Sequence, residues 1–136
     1  MYFLLDEDVD ARLADVLRVR GHAVEFARDR LGRSAADNLI AAAAARLSVI
    51  EADRLSAIVV TRNTRHFRRL IRREVEGQPT PYPRAGLICL ACHAPNQVRR
   101  LEKLIEIIEA EFAIARRLSD PRMIVEIGDV VLRILR

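Results

Sequence analysis

The chain has 136 residues, 51 % of them hydrophobic and 31 % charged, with Lys+Arg 23 against Asp+Glu 19 and a formal net charge of +4. This length fits one domain, and the balance excludes wholesale disorder. The longest apolar run, Leu39 to Ala45, is seven residues, far below the roughly 20 needed to cross a bilayer, so no membrane partner is expected.

Tyr2–Leu5 reads as a buried strand bounded by acids. It runs straight into Asp6, Glu7 and Asp8 with no basic leader, so no secretory signal is expected. Two cysteines do not make a disulfide scaffold, and a reducing cytoplasm is the expected location. Val9, Leu13, Val16 and Leu17 repeat with helical spacing, and Asp8 is placed to cap that helix. Gly21 ends it, and His22–Phe26 alternates as a second strand. Arg28–Ser34 reads as a loop, with Ser34 as the cap of a helix starting near Ala35. The alanines of that helix allow close approach to a sheet. Ala57–Val60 is apolar throughout and is expected at the centre of a parallel sheet.

Thr61–Thr64 leads into a helix of one charge sign: Arg62, Arg65, Arg68, Arg69, Arg72 and Arg73, with His66 and no acid among them. Subtracting those six from +4 leaves −2, so the basicity is one patch on a mildly acidic body. A patch of this kind suits a polyanion such as RNA. Gly77–Pro83 is the clearest loop, and Gly86–Leu90 a fourth strand. From Asn96 a long helix carries the stripe Val98, Leu101, Leu104, Ile105, Ile108, Phe112 and Ala115, read as core, with a homodimer face as the alternative. The chain ends in a hairpin, Met123–Ile127 and Val130–Leu135, about a turn at Gly128-Asp129.

Strand–helix alternation argues an α/β fold with a largely parallel sheet, whose ligands bind beyond the carboxyl ends of the strands. Asp6, Glu7 and Asp8 follow the first strand there, Thr61, Arg62 and Asn63 follow the central one, and Asp37 opens the alanine-rich helix. Oxygen ligands gathered without cysteine or a histidine pair suit Mg²⁺ or Mn²⁺. The Cys89-Leu-Ala-Cys92 pair lacks the second pair of a structural zinc site, and Cys89 is expected in a buried strand. His22 is expected to be a structural hydrogen-bonding residue. No glycine-rich nucleotide-binding motif occurs.

The stretches FLLDEDV, RLADVLRVRGHAV, ADNLIAAAA and AIVVTRNTRHF, followed by GLICL and MIVEIGDVVLRIL, resemble the short single-domain bacterial PIN-like proteins. The middle of the chain is also similar to VapC-type toxin ribonucleases. The resemblance covers about nine tenths of the sequence. It implies a single three-layer sandwich over residues 1–136, with a central, mainly parallel sheet flanked by helices and ending in a β-hairpin. It further implies a metal-dependent endoribonuclease, the toxin or toxin-like component of a type II toxin–antitoxin system, with a cognate antitoxin as partner. By this resemblance Asp6 and Asp37 are metal ligands, Asn63 and Asp8 complete the catalytic set, and Thr61 flanks Asn63. Thr61, Arg62, Arg65, Arg68 and Arg69 are expected to contact RNA, the arginines seating its backbone. The sequence departs from the family at Asn63 and His66, where acids are common, and Glu7 and Asp29 are the nearest substitutes for a further acid. That departure supplies the alternative, a catalytically inactive module that binds RNA or a protein.

Overall fold

The computed structural model describes residues 1–47, 57–71, 86–119 and 121–135. Six strands form one sheet: β1 (Tyr2–Leu5), β2 (Ala23–Phe26), β3 (Ile58–Thr61), β4 (Gly86–Leu90), β5 (Ile124–Ile127) and β6 (Leu132–Leu135). Their spatial order is β2-β1-β3-β4-β5-β6, parallel except for the antiparallel β5–β6 pair. The helices are α1 (Leu13–Val19), α2 (Ala27–Leu31), α3 (Asp37–Leu47), α4 (Thr64–Ile71) and α5 (Gln97–Ala115), the last preceded by a 3₁₀ turn at Ala94–Asn96.

Alternation along the strands divides the core in two. Phe3, Leu5, Ile58, Val60, Ile88 and Leu90 face α1 and α5 on one side. Leu4, Val59, Leu87 and Cys89 face the other side, where Ala27 of α2, Ile40, Ala41 and Ala44 of α3, and Phe67 of α4 pack. The molecule is therefore a helix–sheet–helix sandwich. The central strands β3 and β4 are buried at every position, whereas the outermost strand β6 alternates half-buried and exposed residues. A strand covered on both faces needs a continuous apolar run, as Ile58–Val60 supplies.

Local signals explain several boundaries. Gly21 has φ +80°; its N–H reaches the Arg18 carbonyl at 2.9 Å, and that of His22 the Leu17 carbonyl at 3.2 Å. This pair of bonds is a Schellman ending, in which glycine carries the left-handed residue without strain. Gly86 is required by packing instead, because a Cβ there would lie 2.8 Å from Phe112 Cε1 and 3.0 Å from Ile58 Cγ1. The stripe of α5 is core: Leu101, Ile105, Ile108, Phe112 and Ala115 are buried, with Val98 and Leu104 packed beside them.

Four expectations are corrected. Residues 28–34 are not all loop, since Ala27–Leu31 forms α2, anchored by the buried Ala27. Ser34, at φ +58°, stands three residues before Asp37, where α3 begins, and its N–H donates to Glu7 Oε1 at 3.0 Å. Asp8 does not cap α1: that helix starts at Leu13 after Arg12, and the Asp8 carboxylate takes the Arg62 N–H instead. In the terminal hairpin Ile127 pairs with Leu132 and the Gly128 N–H reaches the Val131 carbonyl at 2.8 Å. The turn thus centres on Asp129-Val130, one residue later than expected. Arg72, Arg73 and the Gly77–Pro83 loop lie outside the described residues.

Candidate functional site

The chain steps from β1 outward to β2 and then returns to β3 on the other side of β1. At such a reversal the connections leave in opposite directions, opening a crevice beyond the carboxyl ends of the two strands. Asp6 follows β1 and Thr61 closes β3. The Asp6 N–H donates to the Val60 carbonyl at 2.9 Å, which holds these two ends together.

A continuous hydrogen-bond chain crosses the crevice. Thr61 Oγ1 donates to Asp6 Oδ2 at 2.8 Å and accepts the Asn63 N–H at 2.9 Å. Asn63 Nδ2 donates to Asp37 Oδ2 at 2.8 Å, and His66 Nδ1 stands 3.0 Å from the same oxygen. The Asp8 carboxylate accepts the Arg62 N–H at 3.1 and 3.2 Å. Asp6, Asp8, Asp37 and Asn63 line one cleft of about 230 Å³, together with Glu7, Arg28, Ser34, Ala35 and Ile40. Residues from positions 6, 37 and 63 therefore meet in space.

The cleft gathers four carboxylates, Asp6, Glu7, Asp8 and Asp37. Desolvation pushes the Asp8 carboxyl above its ordinary value; the Arg62 N–H pulls it back, and the charges on Asp6 and Asp37 push it up further. Asp6 has its Oδ1 occupied by the Glu7 N–H at 2.8 Å, but each carboxylate oxygen carries two lone pairs, so acceptor capacity remains. Among the described residues no group of three or more His, Cys, Asp and Glu side chains stands arranged to hold a metal ion. The donor set is all oxygen, however, and Mg²⁺ is usually bound through one or two carboxylates while keeping several waters. Asp6 and Asp37 fit a hydrated hard cation of that kind, and such an ion would offset the charge that they present to Asp8.

The remaining expected residues divide. Asn63 faces Asp37 with its amide nitrogen, so in this geometry it orients that carboxylate. Thr61, expected to contact RNA, is instead fully buried and bonds to Asp6 and the Asn63 backbone, so it braces the site from below. Arg62, Arg65 and Arg69 are exposed at and along α4. Arg68 turns inward, with Nη1 2.9 Å from Oε1 of the buried Glu126 on β5. Asp29 meets Arg28 at 3.7 Å.

Arg28 and Ser34 carry no local signal for the cleft, because only the meeting of three distant segments brings them there. Arg68 differs from its expected role for a related reason: a one-signed run does not show which arginine meets an acid 58 positions away.

The other motifs resolve into structure. Cys89 and Cys92 are free and buried in separate core clusters, and burial drives the Cys89 thiol up to about 12. His22 Nε2 lies 2.7 Å from Glu109 Oε1, a carboxylate that Arg20 grips with two bonds of 2.7 Å. No helix among the described residues is long and apolar enough to cross a membrane. Comparison with models of known protein families, with curated proteins and with solved structures finds no match.

Proposed function

We propose that the chain is a metal-dependent endoribonuclease of PIN type, a toxin or toxin-like component of a toxin–antitoxin system, acting in the cytoplasm. The observation that carries the reading is the bonded chain Asp6–Thr61–Asn63–Asp37 at the sheet reversal, beside the exposed arginines of α4. Asp6 and Asp37 would hold Mg²⁺ or Mn²⁺, with Asp8 adding negative charge. When bound, such a cation supplies Lewis acidity toward water and phosphate oxygen. The chain itself supplies the rest: Thr61 and Asn63 fix the two carboxylates, and Arg62, Arg65 and Arg69 hold the RNA backbone. A free ribonuclease of this kind calls for a cognate antitoxin.

The test is RNA cleavage with and without Mn²⁺, repeated with Asp6→Asn. Cation-dependent cleavage lost in the variant supports the reading; cleavage unaffected by that substitution refutes it. One observation favours a second reading, an inactive module that binds RNA or a protein: His66 stands against Asp37, where an acid would strengthen a metal site. That reading predicts no stabilisation by Mn²⁺ in thermal unfolding.

A further inference from the structure

Four carboxylates line the cleft, and Arg62 meets one of them, Asp8, through its N–H just before α4. A phosphate entering among those acids is held better by each further cation at the rim. Part of that rim is α2. Of its arginines, Arg30 is held by Glu25 through two bonds, with Nη2 at 3.2 Å. Arg28 is placed differently. It lines the cleft with Asp6, Asp8 and Asp37, remains 47 % exposed, and meets an acid only loosely, with Nε 3.7 Å from the exposed Asp29.

The Arg28 guanidinium carbon lies 4.9 Å from the centroid of the Phe26 ring. Stacking on an aromatic face holds a guanidinium without using its N–H groups, all of which lie in its plane. An arginine held in this way keeps its N–H fork free for a pair of oxygens, the geometry that phosphate offers. Ala27 beside it is buried in the core, and Phe26, whose ring also lies 6.0 Å from the Arg18 guanidinium carbon, ends β2 in register with Leu5 of β1, one residue before Asp6.

We propose that Arg28, stacked on Phe26, is a substrate-phosphate clamp, so that the RNA backbone crosses the cleft between α2 and α4 instead of lying along α4 alone. This rests on the nuclease reading for its substrate, but it is a statement about binding and is tested without cleavage. The bound phosphate would sit across from Arg62, and substitution of either arginine would loosen the same strand.

The experiment measures binding of a fluorescein-labelled single-stranded RNA by anisotropy over a range of salt, in an Asp6→Asn background that removes turnover. Arg28→Ala should weaken binding by about tenfold and reduce the salt slope by about 0.7, the change for one lost phosphate contact on a single strand. Arg28→Lys should keep the slope and lose part of the affinity. Phe26→Leu should weaken binding with the slope unchanged. Equal affinity and equal slope in Arg28→Ala and its parent overturn the clamp. Normal clamp behaviour combined with an absence of Mn²⁺-dependent cleavage in the unsubstituted protein upholds the clamp and overturns the nuclease reading.

Discussion

Thr61 Oγ1 lies 2.8 Å from Asp6 Oδ2, a bond between residues 55 positions apart that joins the carboxyl ends of two neighbouring parallel strands. Thr61 is fully buried, so this hydroxyl is not available to solvent or substrate. It fixes the Asp6 carboxylate through the floor of the cleft, and its second bond, from the Asn63 N–H, sets the start of the turn that carries Asn63 to Asp37.

Thr61→Val keeps the shape and removes both bonds. The loss should cost about 1 kcal/mol in denaturant unfolding and about 10- to 100-fold in Mn²⁺-dependent cleavage, the usual effect of removing a partner that orients a metal-binding side chain. Thr61→Ser should restore most of both. Retention of full activity in the valine variant would show that Asp6 needs no brace.

Asp8 is predicted to be a source of instability in the metal-free protein. Its carboxyl is raised above its ordinary value, by desolvation first, so the ionised form disfavours the folded state at neutral pH. Asp8→Asn should therefore raise Tm in the absence of cation, while keeping an oxygen to accept the Arg62 N–H. The gain should shrink as pH falls and the parent carboxylate protonates. Added Mn²⁺ should narrow the difference as well.

A second titration lies at the opposite end of the sheet. The Arg20 guanidinium and, after it, His22 hold the Glu109 carboxyl at about 2, below its ordinary 4.5. For a depressed acid the stabilisation is complete above the unfolded value and fades as pH falls toward the folded one. Acid unfolding curves should therefore show wild type losing on the order of 2 kcal/mol more than Glu109→Gln across that interval, after allowance for screening at the partly exposed Arg20. Parallel curves would contradict the ion pair.

The contact beneath Gly86 gives a packing test. Gly86→Ala places a methyl group 2.8 Å from the Phe112 ring, and overpacking of this kind should cost about 1–3 kcal/mol. Adding Phe112→Leu should recover part of the loss, because it removes the ring edge that the methyl group meets. Simple additivity of the two substitutions would place the strain elsewhere.

Much of the frame was legible in the residues. Tyr2–Leu5 and Gly86–Leu90 are apolar runs closed by charge or turn signals, and the strands fall on those residues. The α5 stripe buries the face its spacing marks. The expected strand at Ala57–Val60 is shifted by one residue to Ile58–Thr61, because backbone pairing with β4 extends to Thr61↔Cys89 and a threonine is tolerated when its hydroxyl is bonded. The misses share one cause. Asp8, Ser34 and Arg68 each have strong local roles available to them, as cap, cap and solvated arginine. Each was taken instead by a partner distant in sequence: Arg62, Glu7 and Glu126. The α2 helix, five residues long, has too few turns to show a period and depends on burial of Ala27. At the site, the convergence of Asp6, Asp37 and Asn63 followed from placing acids at strand ends, whereas the direction of the Asn63 amide did not.

The central claim is that the carboxylates of Asp6 and Asp37 share one hydrated divalent cation. Titration of the protein with Mn²⁺, followed by the relaxation of water protons, tests it directly, because an ion held by two carboxylates retains exchanging water. The account predicts a single saturable site in the wild type, lost in Asp6→Asn and in Asp37→Asn and unchanged in Glu109→Gln. An identical titration in all four proteins, or no saturable site in the wild type, would contradict it.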